Sequence, residues 1–191
     1  MATKKPARGR TPLSGISSRA WEHPADRGAL VALRKLRGFD SVLKAFNALV
    51  NERQVRLVFL GSAVRVSERQ FPELHRSLAD VGAVLDADEL PEVYVLADPT
   101  LNARTIGMAK PIIVVSSALV DLLDTDELRF VLGHELGHAL SGHAVYRTLL
   151  DRLLALTGLL AAVPGGALGI RVITAALMEW SRKSELSADR A

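Results

Sequence analysis

Between Leu153 and Ile170 the sequence runs for eighteen residues without a charged side chain. That is about the length at which a helix can cross the apolar layer of a bilayer. Whether the run forms one helix or two therefore decides what kind of molecule the chain can become. Pro164-Gly165-Gly166 falls inside it. Proline lacks the N–H that a helix interior needs and clashes with the preceding turn, and the glycines add backbone freedom. Two shorter helices packed as an apolar hairpin over 153–177 are expected. Peripheral contact between that hairpin and a membrane stays open as an alternative.

The remaining composition narrows the class. With 191 residues, 49% of them hydrophobic, the chain can bury the core of a single domain, and wholesale disorder is excluded. Cysteine is absent, which removes disulfides, thiolate metal sites and thiol catalysis, and fits a cytoplasmic, reducing setting. Any transition metal must then be held by His, Asp or Glu. The net charge is +3, and Lys4, Lys5, Arg8 and Arg10 crowd the start among Gly, Pro and Thr. No aromatic residues interleave them, so residues 1–20 read as a solvated, disordered basic tail and no specific nucleic-acid partner is expected. No apolar stretch follows, so no signal peptide is expected. Residues 21–191 read as one α+β domain in which helices outnumber strands.

Apolar residues from Asp26 to about Asn51 recur at helical spacing, and Gly38 is expected to divide them into two helices. Val55 to Val66, with its β-branched residues, reads as a strand or two short ones. Pro72 suits the first turn of a helix towards Leu85. Val93-Tyr94-Val95 and Pro111 to Val115 read as strands, the second ending in Ser116-Ser117, a good helix cap. Asp124, three residues before Glu127, can cap a helix running through His134 and His138.

That helix carries His134-Glu135-Leu136-Gly137-His138, an H-E-x-x-H pattern. Helical residues advance by about 100° each, so positions four apart lie about 40° apart on one face. Both imidazoles can then meet a single cation. Glu135, offset by one residue, can reach a metal-held water as general base without being a ligand.

A catalytic zinc needs a third protein ligand. His143 lies nine residues past His134, which on a continuous helix is half a turn out of phase. The metzincin pattern fails, because Ser141 and Ala144 stand where it needs Gly and His. Glu185 is the better candidate. Asp189 follows it by four residues on the same helical face, so one carboxylate can bind metal while the other accepts a hydrogen bond from a ligating imidazole. His23, ahead of the domain, is a candidate to cap the metal's open position and hold the protein latent.

Glu185-x-x-Ala188-Asp189 downstream of His-Glu-Leu-Gly-His resembles the gluzincin family of the HtpX heat-shock protease and the CAAX prenyl endopeptidase. Val93-Tyr94-Val95, Asn102-Ala103-Arg104, Ile113 to Leu119 and Gly142-His143 resemble further segments of it. The resemblance runs from about Val55 to the end of the chain. It implies a zincin-like metallopeptidase core, mostly helical with a small sheet beside the active-site helix. It further implies one zinc ion per chain on His134, His138 and Glu185, Glu135 as base and proton shuttle, and Asp189 behind a ligand. Ile112 to Val115 would form a cleft edge, so that Ile113, Val114 and Asn102 would face an extended polypeptide substrate. In the family the oxyanion-stabilising side chains lie further downstream than Ala191, so a domain cut short at its C-terminus is expected. The implied activity is zinc metalloendopeptidase action on extended or unfolded polypeptides. The alternative is a catalytically weak, zinc-binding chaperone-like or scaffold protein.

Overall fold

The structure, a computed structural model, describes residues 14–49, 52–160 and 166–191. The basic residues of the start lie outside this set. At the start of the described residues Ile16 packs against the core and Trp21 is buried in it.

Gly38, with φ +87°, separates α1 (Pro24–Arg34) from α2 (Phe39–Leu49), as the periodicity predicts. The next expectation fails. Val55 to Val66 is mostly helical: α3 spans Glu52–Ser62, and only Ala63–Arg65 forms a strand, β1. What decides it is a face rather than β-branching. Glu52, Arg56 and Phe59 recur at helical spacing, and all three reach the sheet side. Glu52 Oε1 accepts from the Met108 and Lys110 amides, Arg56 pairs with Glu92 at 3.1 Å, and the Phe59 ring lies 6.2 Å from that of Tyr94. Tertiary partners override a propensity worth only about 1 kcal/mol across its whole scale.

The helix opened by Pro72 is α4 (Pro72–Val84). Strands β2 (Glu92–Leu96), β3 (Ala103–Ile106) and β4 (Ile112–Ser116) complete a four-stranded sheet of order β1-β2-β4-β3. β2 and β4 are parallel; β1 and β3 run antiparallel to their neighbours. Side chains alternate across the sheet. Val93, Val95, Ile113 and Val115 point to one face, and Tyr94, Ile112 and Val114 to the other, where Phe59 of α3 covers them. Coverage on both faces explains the unbroken apolar run of β4.

Ser116 caps α5 (Ser117–Leu122) through its hydroxyl, and Asp124 and Glu127 form a complete capping box on α6 (Thr125–Leu140). α6 lays Leu128, Leu132 and Leu136 on the Ile113/Val115 face together with α4. It ends at Ser141-Gly142, where Gly142 has φ +70°, a conformation natural to glycine at a helix end. The charge-free run then divides as expected, between α7 (His143–Leu160) and α8 (Gly166–Ala188), with Pro164 and Gly165 outside the described residues. A second core joins α1 and α2 to this pair through Leu33, Phe39, Phe46, Leu149, Leu177 and Trp180. Among the described residues no helix is long and apolar enough to cross a membrane. The molecule is thus an α+β, zincin-like arrangement: a sheet-and-helix core, a helical core, and the α6–α8 crossing where they meet.

Candidate metal centre

At that crossing α6 presents two imidazoles to one carboxylate of α8. His134 Nε2 lies 3.1 Å from Glu185 Oε2, His138 Nε2 lies 3.2 Å from His134 Nε2, and the His138 Nε2 to Glu185 Oε2 distance is 3.5 Å. Three donors about 2.0–2.1 Å from a tetrahedral zinc sit about 3.3 Å from one another. The triangle therefore has the size a zinc ion requires, and its two nitrogens and one oxygen are donors that zinc accepts. His134, His138 and Glu185 also form the one His/Asp/Glu group among the described residues whose ligand atoms converge this closely.

The helices approach closely enough because Gly137 faces α8. A Cβ there would stand 2.7 Å from Ala191 Cβ and 3.4 Å from Ala188 Cα. Asp189, one turn beyond Glu185, meets the far side of the first imidazole, with Oδ1 2.9 Å from His134 Nδ1. The carboxylate of Glu185 is itself divided in use. Oε1 accepts from Arg147 Nη1 of α7 at 2.6 Å, while Oε2 faces the imidazoles. Arg147 Nη1 is also 2.7 Å from His138 Nε2.

The electrostatics follow from this crowding. Burial opposes the charge on Glu185, but the imidazoles of His134 and His138 that face it, and the Arg147 charge, outweigh burial and hold the carboxyl far below the usual carboxylate range. His134 is pushed up, first by its hydrogen bond to Glu185, against the effect of burial. His138 is pushed down, chiefly because it is fully buried. A buried imidazole that resists protonation keeps its lone pair for a cation.

Glu135 is buried beside the triangle on the same helix. Thr105 of β3 donates its hydroxyl to Glu135 Oε2 at 2.7 Å, and the same hydroxyl lies 2.8 Å from the Glu135 carbonyl oxygen. The edge of the sheet thereby holds the carboxylate that could move a proton.

Peptidase family M48 is the description of the family model that matches residues 68–191. The chain belongs to peptidase family M48. It is 35% identical over 173 residues to the plastoglobule-localized metallopeptidase 48, chloroplastic, of Arabidopsis thaliana, covering 90% of this chain and 49% of that protein. It is 28% identical over 149 residues to Protease HtpX of Xanthomonas axonopodis pv. citri (strain 306), covering 75% of this chain and 50% of the relative. A Protease HtpX homolog of Tropheryma whipplei (strain Twist) shares 29% over 107 residues, 54% of this chain and 36% of that one. The chain spans about half the length, or less, of these curated relatives. No solved structure matches it. The resemblance to HtpX-type gluzincins drawn from the motif is therefore a family relationship.

Two substrate-facing expectations need correction. β4 pairs with β2 on one side and β3 on the other, so it has no free edge. Ile113 is fully buried in the α6-side core, and Val114 points to the opposite face of the sheet. Asn102 stands immediately before β3 and lines a groove with Phe59, Leu96 and Val114. The strand with an unpaired edge beside α6 is β3. His23 is not at the metal centre either: its Nδ1 caps α1 by accepting from the Ala25 amide at 3.1 Å.

His143 also departs from the helical extrapolation. The break at Gly142 ends the phase that put it half a turn away, and its Nδ1 comes to 2.9 Å from His138 Nδ1. Thr105, Arg147 and Asp26 carried no spacing signal. The Gly142-His143 pair did, since a glycine four residues past the second histidine can end a helix and turn the chain back.

Proposed function

We propose that this M48 chain is the catalytic core of a zinc metalloendopeptidase that hydrolyses peptide bonds in extended or unfolded polypeptides. The observation that carries the reading is the triangle of His134 Nε2, His138 Nε2 and Glu185 Oε2 with sides of 3.1, 3.2 and 3.5 Å, on a helix that also carries the buried Glu135. His134, His138 and Glu185 would hold one zinc ion per chain, which would supply Lewis-acid polarisation of a carbonyl and lower the pKa of a water from about 15.7 towards 7. Glu135 takes the proton of the attacking water and passes it to the amide nitrogen as the C–N bond breaks. Thr105 fixes the oxygen of Glu135 that faces it. Asp189 holds the His134 ring through Nδ1, and Arg147 occupies the second oxygen of Glu185, so that this carboxylate offers one atom rather than two.

The unpaired side of β3 is where an extended backbone can add as a further strand, and main-chain pairing of that kind is tolerant of side-chain sequence. It favours unfolded chains as substrates, since folded ones have few free strands to offer. The same strand carries Thr105, so a docked peptide lies next to the side chain that orients the base.

Zinc quantification beside a cleavage assay on an unfolded protein, for wild type and Glu135→Gln, tests the reading. Retained zinc with cleavage reduced at least about 100-fold is expected. Equal cleavage by both proteins would leave the scaffold alternative in its place.

A cytoplasmic protein whose hairpin rests on a lipid surface is the accompanying placement. It is supported by the absence of cysteine and by Leu168 and Val172, exposed one turn apart on α8. Replacing both with Ser is expected to abolish co-sedimentation with anionic vesicles; unchanged co-sedimentation would refute the contact.

A further inference from the structure

Behind the metal centre, a chain of buried polar groups runs back to α1. His138 Nδ1 meets His143 Nδ1 at 2.9 Å, and His143 Nε2 meets Asp26 Oδ2 at 3.1 Å. Asp26 Oδ2 also accepts from Ser187 Oγ at 2.5 Å, and Asp26 Oδ1 from Trp180 Nε1 at 2.9 Å. His138, His143 and Asp26 are 0%, 3% and 1% exposed, so the chain is shielded from bulk solvent.

Two imidazoles in contact through Nδ1 atoms can share only one proton between them. Two arrangements are open, one with each ring as donor. The ends decide. At one end the ionised Asp26 only accepts, so His143 must carry its proton on Nε2, which leaves Nδ1 as a lone pair. At the other end the Arg147 guanidinium only donates, and it stands 2.7 Å from His138 Nε2. His138 must then carry its proton on Nδ1 and offer Nε2 as a lone pair. Reversing the chain would set two protons against each other at Arg147 and two lone pairs against each other at Asp26. At positions this buried each such clash leaves polar groups unsatisfied.

We infer that Asp26 is a positioning residue of the metal centre, which acts through His143 to fix the tautomer of His138 with its lone pair on Nε2, the atom that would bind the cation in place of the Arg147 donor. Asp26 lies on α1, outside the segment 68–191 that the family model matches. The first helix of the chain is thereby part of the site. This rests on the zinc reading only in that it takes His138 as a ligand; the proton arrangement itself is independent of any ion.

The test is the ¹⁵N spectrum of histidine-labelled full-length protein near pH 8, where free imidazoles are neutral, recorded with and without one equivalent of zinc. The expected spectrum has His138 protonated on Nδ1 and His143 on Nε2 in both samples. A wild-type His143 protonated on Nδ1, or on both nitrogens, overturns the inference. Chelator competition supplies the second arm. Asp26→Asn and His143→Leu are expected to weaken zinc binding by about 10–100-fold. His143→Gln, whose amide oxygen can accept from the same Nδ1–H, is expected to retain clearly more affinity than His143→Leu. Equal affinity in Asp26→Asn and wild type, or equal losses in the two His143 variants, counts against the relay. Failure of the wild type to bind zinc would instead refute the metal site, and the metal-free spectrum would still decide the proton arrangement.

Discussion

Asp26 and Glu185 are two carboxylates kept ionised at partly or wholly buried positions, and each has a consequence for stability. For Asp26, burial alone would raise the pKa; hydrogen bonds from His143, Ser187 and Trp180 outweigh it and leave the group below its ordinary 3.8. A folded-state value below the unfolded one means that the stabilisation is complete above about pH 4 and is lost as pH falls through the lower, folded value. Asp26→Asn lacks this component. Acid titrations of both proteins, followed by Trp fluorescence, are expected to show the wild type more stable at neutral pH and the gap narrowing below about pH 4. At this scale the sequence was informative wherever one regular element sets the geometry. Four-residue spacing on a single helix brings His134 to His138, and Glu185 to Asp189, whatever the tertiary fold. It was silent on Thr105, Arg147 and Asp26, because those meet the site only through the packing of β3, α7 and α1 around α6 and α8.

Among the elements, α6 and α8 cross with almost no space between them at Gly137. A methyl group there has no flexible neighbour to displace, since it meets the Ala191 Cβ and Ala188 Cα atoms. Gly137→Ala is expected to cost about 1–3 kcal/mol in urea unfolding and to weaken zinc binding, because Glu185 moves away with its helix. Gly133→Ala on the same helix makes an ordinary 3.7 Å contact with Val81 Cγ1. It is expected to be neutral or to stabilise by about 0.5–1 kcal/mol. The contrast separates crowding at the crossing from helix propensity. Most elements were legible from caps and periodicity: Gly38, Pro72, Ser116 and the Asp124–Glu127 box each stand where a helix begins or ends. α3 was not, because an apolar run with a few valines fits either period until the partners of Arg56 and Phe59 are known. Sheet order was equally hidden. β4 reads as a strand from its composition, but only the placement of β3 at the rim makes it interior.

For the whole molecule, the two hydrophobic cores share little except the α6–α8 crossing and the α1 side chains that reach it. The proposed ligands come from both sides of that junction: His134 and His138 from the helix that packs on the sheet, Glu185 from the helix that packs on α1 and α7. A cation bound by all three stabilises the folded form by mass action, about 4 kcal/mol when free zinc is a thousandfold above Kd. Chelation is therefore expected to lower the Tm. It should also speed amide exchange around Glu185 more than in β4, which hydrogen-exchange mass spectrometry can resolve.

His138 and Glu185 flank the entire α7–α8 excursion, one just before it leaves and the other where it returns. An ion held between them, as proposed above, would work as a clasp at the throat of that excursion. The outward surface around Leu168 and Val172 can then engage or release a neighbour while the fastened end keeps its shape.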